Sequence, residues 1–136
     1  REHTGFVNKI AFRQDGIFFA SISADKSIVI YDTETLEVTR KIDKAHTKGI
    51  IDLVWLNDST IATSSSDNVV KYWSIDSGSE VKILNPNSDG KEKIENQSLG
   101  LITSQDAIMS VSLNSNINVW NHSDVESGST NPSYVI

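Results

Sequence analysis

The 136 residues contain no cysteine, which excludes a disulfide framework and any thiolate metal site. No apolar run approaches the roughly 20 residues that a membrane-crossing helix needs, and no secretory signal is visible. The two prolines, Pro86 and Pro132, fall in polar stretches between strand-like runs. There is no basic excess either: twelve Lys and Arg stand against eighteen Asp and Glu, a net charge of −6. Residues 1–71 carry nine basic against ten acidic groups, and residues 72–136 carry three against eight. Nucleic-acid binding needs a dense basic face that displaces counterions from phosphates, so that class is set aside. Net charge does not decide protein partners, because a balanced patch can sit on an acidic body. The histidines supply no metal set: His3 and His46 lie 43 residues apart, with no cysteine to join them. No cofactor is expected. Three N-x-S sequons (Asn57, Asn96, Asn121) carry little weight in a chain this rich in Asn and Ser, and Cys-free β-structure fits a reducing compartment better.

What the chain does have is a repeat. A small hydroxyl residue stands four positions before Asp or Asn, and an aromatic stands six positions further on, three times: Ser21, Asp25, Tyr31; Thr63, Asp67, Trp73; Ser110, Asn114, Trp120. The aromatics are separated by 42 and then 47 residues. His3 precedes Tyr31 by 28 residues and His46 precedes Trp73 by 27. A fixed period in the forties marks one supersecondary unit used repeatedly.

Each unit reads as four short strands divided by turn residues. In the first these are Phe6–Phe12, Ile17–Ser21, Ser27–Tyr31 and Leu36–Ile42. In the second they are Ile50–Trp55, Thr60–Ser64, Val69–Trp73 and Glu80–Leu84. Asp-Gly and Asp-Lys between β-branched runs are turn chemistry, since Asp and Gly tolerate left-handed backbone angles. A polar loop over 85–96 leads to Gln97–Thr103, Ala107–Val111, Asn116–Trp120 and a last strand at Ser133–Ile136. The stretch Asn121–Pro132 is expected to be mobile, with His122 solvated. The outer strands are charged (Glu37, Arg40, Lys41; Glu80, Lys82) and the inner ones apolar, a gradient that favours propeller blades over a sandwich. The expected fold is all-β: three four-stranded antiparallel blades, 1–44, 45–84 and 97–136, of a larger ring. Three units cannot close such a ring, so the chain reads as a piece of a longer protein. Expressed alone it should be poorly soluble, through exposed strand edges and blade faces.

His3, Ser21 and Asp25 are the ingredients of a hydrolase triad, and His46, Thr63 and Asp67 supply a second copy. An active site needs one such set beside an oxyanion hole, so duplication favours a structural reading. In that reading a buried His bridges the turn Asp to the hydroxyl, which meets the donor of the aromatic, and every polar group finds a partner. Tyr31 would replace Trp through its phenol. The third unit, with Asn114 and no His, should have an incomplete network and the softest blade. Trp55 reads as core rather than ligand-binding. Phe6 stands where the second unit has Gly49. It is either a binding anchor on the face where inter-blade loops gather or a cover for a neighbouring blade's loop.

The stretches HTGFVNKIAF…FASISADKSIVIYD and HTKGIIDLVW…IATSSSDNVVKYWS resemble WD repeats, a likeness specific to fold and nearly silent on function. The third unit, KIENQSLGLITSQDAIMSVSLNSNINVWN (residues 93–121), lacks the histidine. It resembles the atypical unit that closes the first propeller of the actin-interacting protein 1 family. That resemblance implies two seven-bladed propellers in the whole protein, of which these would be the last three blades of the first. It also implies a cytoplasmic, non-catalytic factor at the actin cytoskeleton that binds cofilin-decorated actin filaments and promotes their disassembly. The implied partner-facing positions are Phe6, Asn8 and Ala24, then Gly49, Ile51 and Ser66, then Leu113, with Phe6 and Asn8 favoured. Two other readings stay open. One is a WD-repeat scaffold of another assembly, such as a ubiquitin-ligase receptor or a G-protein-β-like adaptor; the other is a hydrolase.

Overall fold

The computed structural model describes residues 1–86 and 96–136, so most of the polar loop expected over 85–96 lies outside the described residues. Three antiparallel sheets follow one another along the chain. The first holds β1 (Val7–Phe12), β2 (Phe18–Ser23), β3 (Ile28–Asp32) and β4 (Val38–Ile42). The second holds β5 (Ile50–Asn57), β6 (Thr60–Ser65), β7 (Val70–Ser74) and β8 (Glu80–Leu84). The third holds β9 (Ser98–Thr103), β10 (Ala107–Ser112), β11 (Ile117–Asn121) and β12 (Tyr134–Val135). In each, sequence neighbours pair with one another. The registers also repeat: Ser21 lies opposite Val29, Thr63 opposite Lys71 and Ser110 opposite Asn118. The β3–β4 and β7–β8 ladders shift register at the same place, just before Tyr31 and Trp73.

Two apolar seams separate the three sheets. Ile22, Ile28, Ile30 and Ile42 of the first sheet meet Ile50, Leu53, Ile61 and Trp73 of the second. Ala62, Val70, Tyr72 and Leu84 of the second meet Leu101, Ile108 and Trp120 of the third. The second strands of the first two sheets are buried on both faces over most of their length, whereas β4 and β8 are largely exposed and charged. This gradient follows the burial that face-to-face packing imposes. β1 departs from it: Val7, Ile10 and Phe12 are exposed, because only its β5 side is covered. Ile102 and Val111 are exposed on the third sheet in the same way.

The segment after β11 is not the mobile connection that its polarity suggests. Residues His122–Glu126 form a short helix, α1, and Val125, the apolar residue within it, is buried in the second seam. The Thr130 carbonyl accepts from the Trp120 indole at 3.2 Å and from the Asn85 N–H at 3.0 Å. His122 is half-buried rather than solvated; its Nε2–H donates to the Ser104 carbonyl at 3.1 Å.

One carboxylate ties three sheets together. Asp52 on β5 accepts from the Lys9 amine on β1 and, at 2.8 Å, from the Leu101 N–H on β9. Trp55 packs on the first seam and donates its indole N–H to the Ala11 carbonyl at 2.9 Å. The Asp52 contacts are unequal in weight. Losing the carboxylate leaves a buried N–H unpaired, which costs about 1–3 kcal/mol, whereas a half-exposed ion pair is worth less than about 1 kcal/mol. Asp52→Ala should therefore destabilise the protein clearly more than Lys9→Met in urea denaturation. Equal losses would mean that the Leu101 contact contributes nothing.

Candidate functional site

The hydroxyl and Asp or Asn residues of the repeat gather toward one edge of the three sheets, where β2–β3, β6–β7 and β10–β11 turn, and the aromatics stand toward the other end of the same hairpins. The turns are built alike. Lys26, Asn68 and Ser115 donate back to Ser23, Ser65 and Ser112, and all three adopt positive φ (74°, 62° and 67°). The preceding acid or amide caps each turn: Asp25 accepts from the Ser27 N–H, Asp67 from the Val69 N–H and Asn114 from the Asn116 N–H. Asn114 thus keeps the turn role of its counterparts.

The second unit holds the full relay. His46 Nδ1 lies 3.0 Å from Asp67 Oδ2, its Nε2 lies 2.8 Å from Thr63 Oγ1, and Trp73 Nε1 donates to the same hydroxyl at 2.9 Å. A carboxylate only accepts, so in the neutral ring Nδ1 carries the proton. Nε2 then accepts from the Thr63 hydroxyl, whose oxygen accepts from the indole. Lys71, opposite Thr63, lies over the Trp73 ring at 5.6 Å.

The first unit differs in two respects. His3 Nε2 meets Ser21 Oγ at 2.6 Å, but Nδ1 reaches Ser27 Oγ at 2.7 Å, and the Ser27 hydroxyl donates to Asp25 at 2.5 Å. Ser27 stands where the second unit has Val69, so a hydroxyl is inserted into the relay. Tyr31 does not supply the expected donor to Ser21; it is half-buried and stacks on Phe19, with ring centroids 4.7 Å apart. A phenol hydroxyl sits at the far end of its ring, where it cannot take the place of an indole N–H set along the edge.

In the third unit Trp120 is fully buried but donates to Thr130, not to Ser110. Asn118, buried opposite Ser110, instead donates to Ser112 at 3.2 Å and approaches Ser110 at 3.4 Å. Asn96 stands in the stretch that lacks the histidine and accepts from the Asn114 N–H at 3.1 Å. Ser27 and Asn118 were missed from the sequence. The available signal was a polar residue at an apolar position of a strand.

Electrostatics follow the relay. Burial presses the Asp25 carboxyl upward, but bonds from the Ser27 hydroxyl and the Thr4 and Ser27 N–H groups, with electrostatic attraction to the His3 ring, outweigh it. The group is held far below the ordinary 3.8. Burial likewise opposes Asp67, and the His46 bond and charge with the Val69 and Thr47 N–H groups hold it below 3.8. The triad ingredients are shut away: Thr63 is 0% exposed, Ser21 3% and His46 3%. No nucleophile in either set faces a substrate.

The positions that the resemblance implies for a partner line the same edge. The N–H groups of Ala24, Ser66 and Leu113 donate to the carbonyls of Phe6, Gly49 and Gln97, so these three pairs are equivalent. Phe6 is 83% exposed. In the equivalent place Gly49 packs on the preceding sheet, where a Cβ would come within 3.3 Å of Ala24 Cα. Ile51 and Ser66 are half-buried, while Ala24 and Leu113 are exposed. Asn8 spends its amide on the seam, donating to the Ile50 carbonyl at 2.7 Å. Leu99, exposed in the place of Asn8 and Ile51, was missed; the alternation of SLGLI was its signal.

Consecutive four-stranded sheets packed face to face, each stapled within itself by a buried histidine relay or its remnant, define a WD-repeat β-propeller. A family model described as the RIG first β-propeller matches residues 3–120, and the chain belongs to that family. Among curated relatives it is similar to WD repeat-containing protein 1 of Gallus gallus, 37% identical over 120 residues, or 86% of this chain and 19% of that protein. It is also similar to actin-interacting protein 1-2 of Arabidopsis thaliana (35% over 134 residues; 93% and 22%). Actin-interacting protein 1 of Drosophila melanogaster is 28% identical over 126 residues (91% and 20%). The chain spans about a fifth of the length of these relatives.

Two outcomes follow from the relay. Thr63→Val should cost about 2–4 kcal/mol by leaving both His46 and Trp73 without their buried partner, and Ser21→Ala should cost less, because only His3 loses one. Chemical denaturation would show the order, and equal costs would contradict it. Both carboxyls have folded values below the unfolded one, so their contribution is present above pH 3.8 and is lost as pH falls below it. Asp67→Asn should flatten the decline in stability below that pH; an unchanged slope would rule out the Asp67 contribution.

Proposed function

We propose that this chain belongs to an actin-regulating propeller protein that binds cofilin-decorated filaments and promotes their disassembly by binding alone. It would act in the cytoplasm, at the actin cytoskeleton. The reading is supported by the likeness to proteins named for actin interaction and by the atypical third unit. It is also supported by the burial of every triad hydroxyl and histidine, which leaves surface contact as the available chemistry.

The observation that carries the reading is Phe6: a large aromatic, 83% exposed, at the start of a strand whose backbone is fixed by the Ala24 N–H. Exposed aromatics on rigid supports are typical anchors of protein interfaces. Along the same edge of the three sheets lie Ala24, Gly49, Ile51, Ser66 and Leu113, with small or apolar side chains, which suits contact by shape more than by charge.

The test is cosedimentation of the full-length protein with actin filaments, with and without cofilin. Cofilin should strengthen binding and the protein should hasten disassembly. Phe6→Ala should weaken binding about tenfold or more with a melting temperature close to that of the parent. No cofilin-dependent disassembly by the parent protein would remove the reading. A melting temperature lowered by many degrees, with binding per folded molecule intact, would assign Phe6 to packing on another blade.

A further inference from the structure

We propose that the cleft between the second and third sheets, at the edge opposite the relay turns, binds an uncharged peptide segment through an apolar side chain and a backbone carbonyl. The proposal stands independently of the actin reading. The cleft has a volume of about 450 Å³, within the range of about 300–1,000 Å³ that ligand sites occupy. It is bounded by the β5–β6 turn, β8, the β9–β10 turn and α1. Leu56, Val81 and Val125 give it apolar walls, and Tyr72 of β7 reaches it from the second seam. Leu56 and Val125 pack in that seam, whereas Val81 beside them is 56% exposed. An apolar side chain seated here would continue the seam and cover Val81.

Tyr72 marks the cleft as a site. The residue is 7% exposed, and its hydroxyl is buried without a hydrogen-bond partner. A buried hydroxyl left unpaired costs stability, and phenylalanine would fill the same seam without that cost. Burial pushes the Tyr72 hydroxyl up to about 12, so it keeps its proton and offers a donor. Other neutral groups of the lining are also unspent. Among the described residues, the Thr60 hydroxyl and the Gln105 amide make no side-chain hydrogen bond. Asn57 engages its oxygen, which accepts from Ser59, and leaves its amide hydrogens free. The relay edge offers a contrast, because its buried hydroxyls and histidines satisfy one another.

The charge balance of the lining selects a neutral ligand. Lys82 and Glu126 contribute one amine and one carboxylate, and the amine is held by the Val125 carbonyl at 2.5 Å. His122 spends its Nε2–H on the Ser104 carbonyl. An ion of either sign would have to shed its hydration to approach a recessed hydroxyl, whereas a neutral carbonyl is far less costly to bury. The free groups of Asn57, Thr60 and Gln105 supply both donors and acceptors, which suits the N–H and C=O of peptide units. β8 is the edge strand of its sheet and contributes Val81 and Lys82 to the cleft, so an extended backbone can lie along it. The peptide carbonyl then accepts from Tyr72, and the apolar side chain rests on Leu56, Val81 and Val125.

The test uses the full-length protein and the capped peptide acetyl-Ala-photoleucine-Ala-amide, whose diazirine side chain labels its surroundings on irradiation. Mass spectrometry of proteolytic fragments then locates the label. Labelling should concentrate in residues 56–60, 81–82, 104–105 and 122–126. Excess acetyl-Ala-Leu-Ala-amide should suppress it, and the analogues with Lys or Glu in place of Leu should not. Tyr72→Phe should lower labelling of these segments about fivefold at subsaturating peptide, the effect of one lost hydrogen bond. Its urea midpoint should equal or exceed that of the parent, because the hydroxyl has no partner to lose in the free protein. Phe6→Ala should leave the labelling unchanged, which separates this site from the actin reading. Labelling scattered over the surface, equal suppression by a charged analogue, unaltered labelling of the Tyr72→Phe variant, or a lowered midpoint for it would overturn the proposal.

Discussion

A histidine buried between a carboxylate and a hydroxyl is the constraint on which the rest of this molecule depends. An imidazole in a dry seam must have both nitrogens satisfied, and His46 meets that demand by reaching the turn of one hairpin with Nδ1 and the strand beside it with Nε2. The turn is thereby locked to the strap that carries the chain from one sheet to the next. The strap in turn places Ala45, Thr47 and Gly49 at the seam. Trp73 closes the chain of bonds and brings its ring into the first apolar core. The first unit solves the same problem with an extra hydroxyl, Ser27. The third has no ring to satisfy and substitutes an amide, Asn118.

Because these polar groups satisfy one another internally, what remains for function is what they hold in place. The turns and strand starts at this edge are fixed by identical backbone bonds in all three sheets, so variation there is confined to side chains: Phe6, Gly49 and Gln97 at one position, Lys26, Asn68 and Ser115 at another. A rigid frame with interchangeable surface residues is how one fold serves many partners. Asp52 adds stiffness across the inner strands, and the frame can then present an exposed aromatic without reorganising.

The repeat was legible because its signals are local and periodic. The Thr63, Asp67 and Trp73 spacing falls within a single hairpin, and His46 lies one strand earlier. The strands themselves were readable from β-branched runs between turn residues, within one or two residues at most ends. What escaped notice depends on contacts between sheets. The partners of Asp52 lie 43 and 49 residues away, and nothing in the run IIDLVW marks its carboxylate as a tie. Val125 was hidden because one apolar residue in a polar run does not announce a helix. Tyr31 was misread because a phenol carries its donor at the far end of the ring, whereas the Trp73 indole carries its donor along the edge. Asn118 was overlooked because its partner, Ser110, faces it from another strand.

The central claim is that the edge bearing the relay turns is the surface that meets the filament. Amide hydrogen exchange on the full-length protein, with and without cofilin-decorated actin, tests it most directly. The account predicts that binding slows exchange at Phe6 and Val7, in the turn 24–26 and along 47–49, while the buried strands β2 and β6 are protected in both states. Slowing confined to the opposite edge, around Gly16 and Ser59, with no change at Phe6, would contradict it.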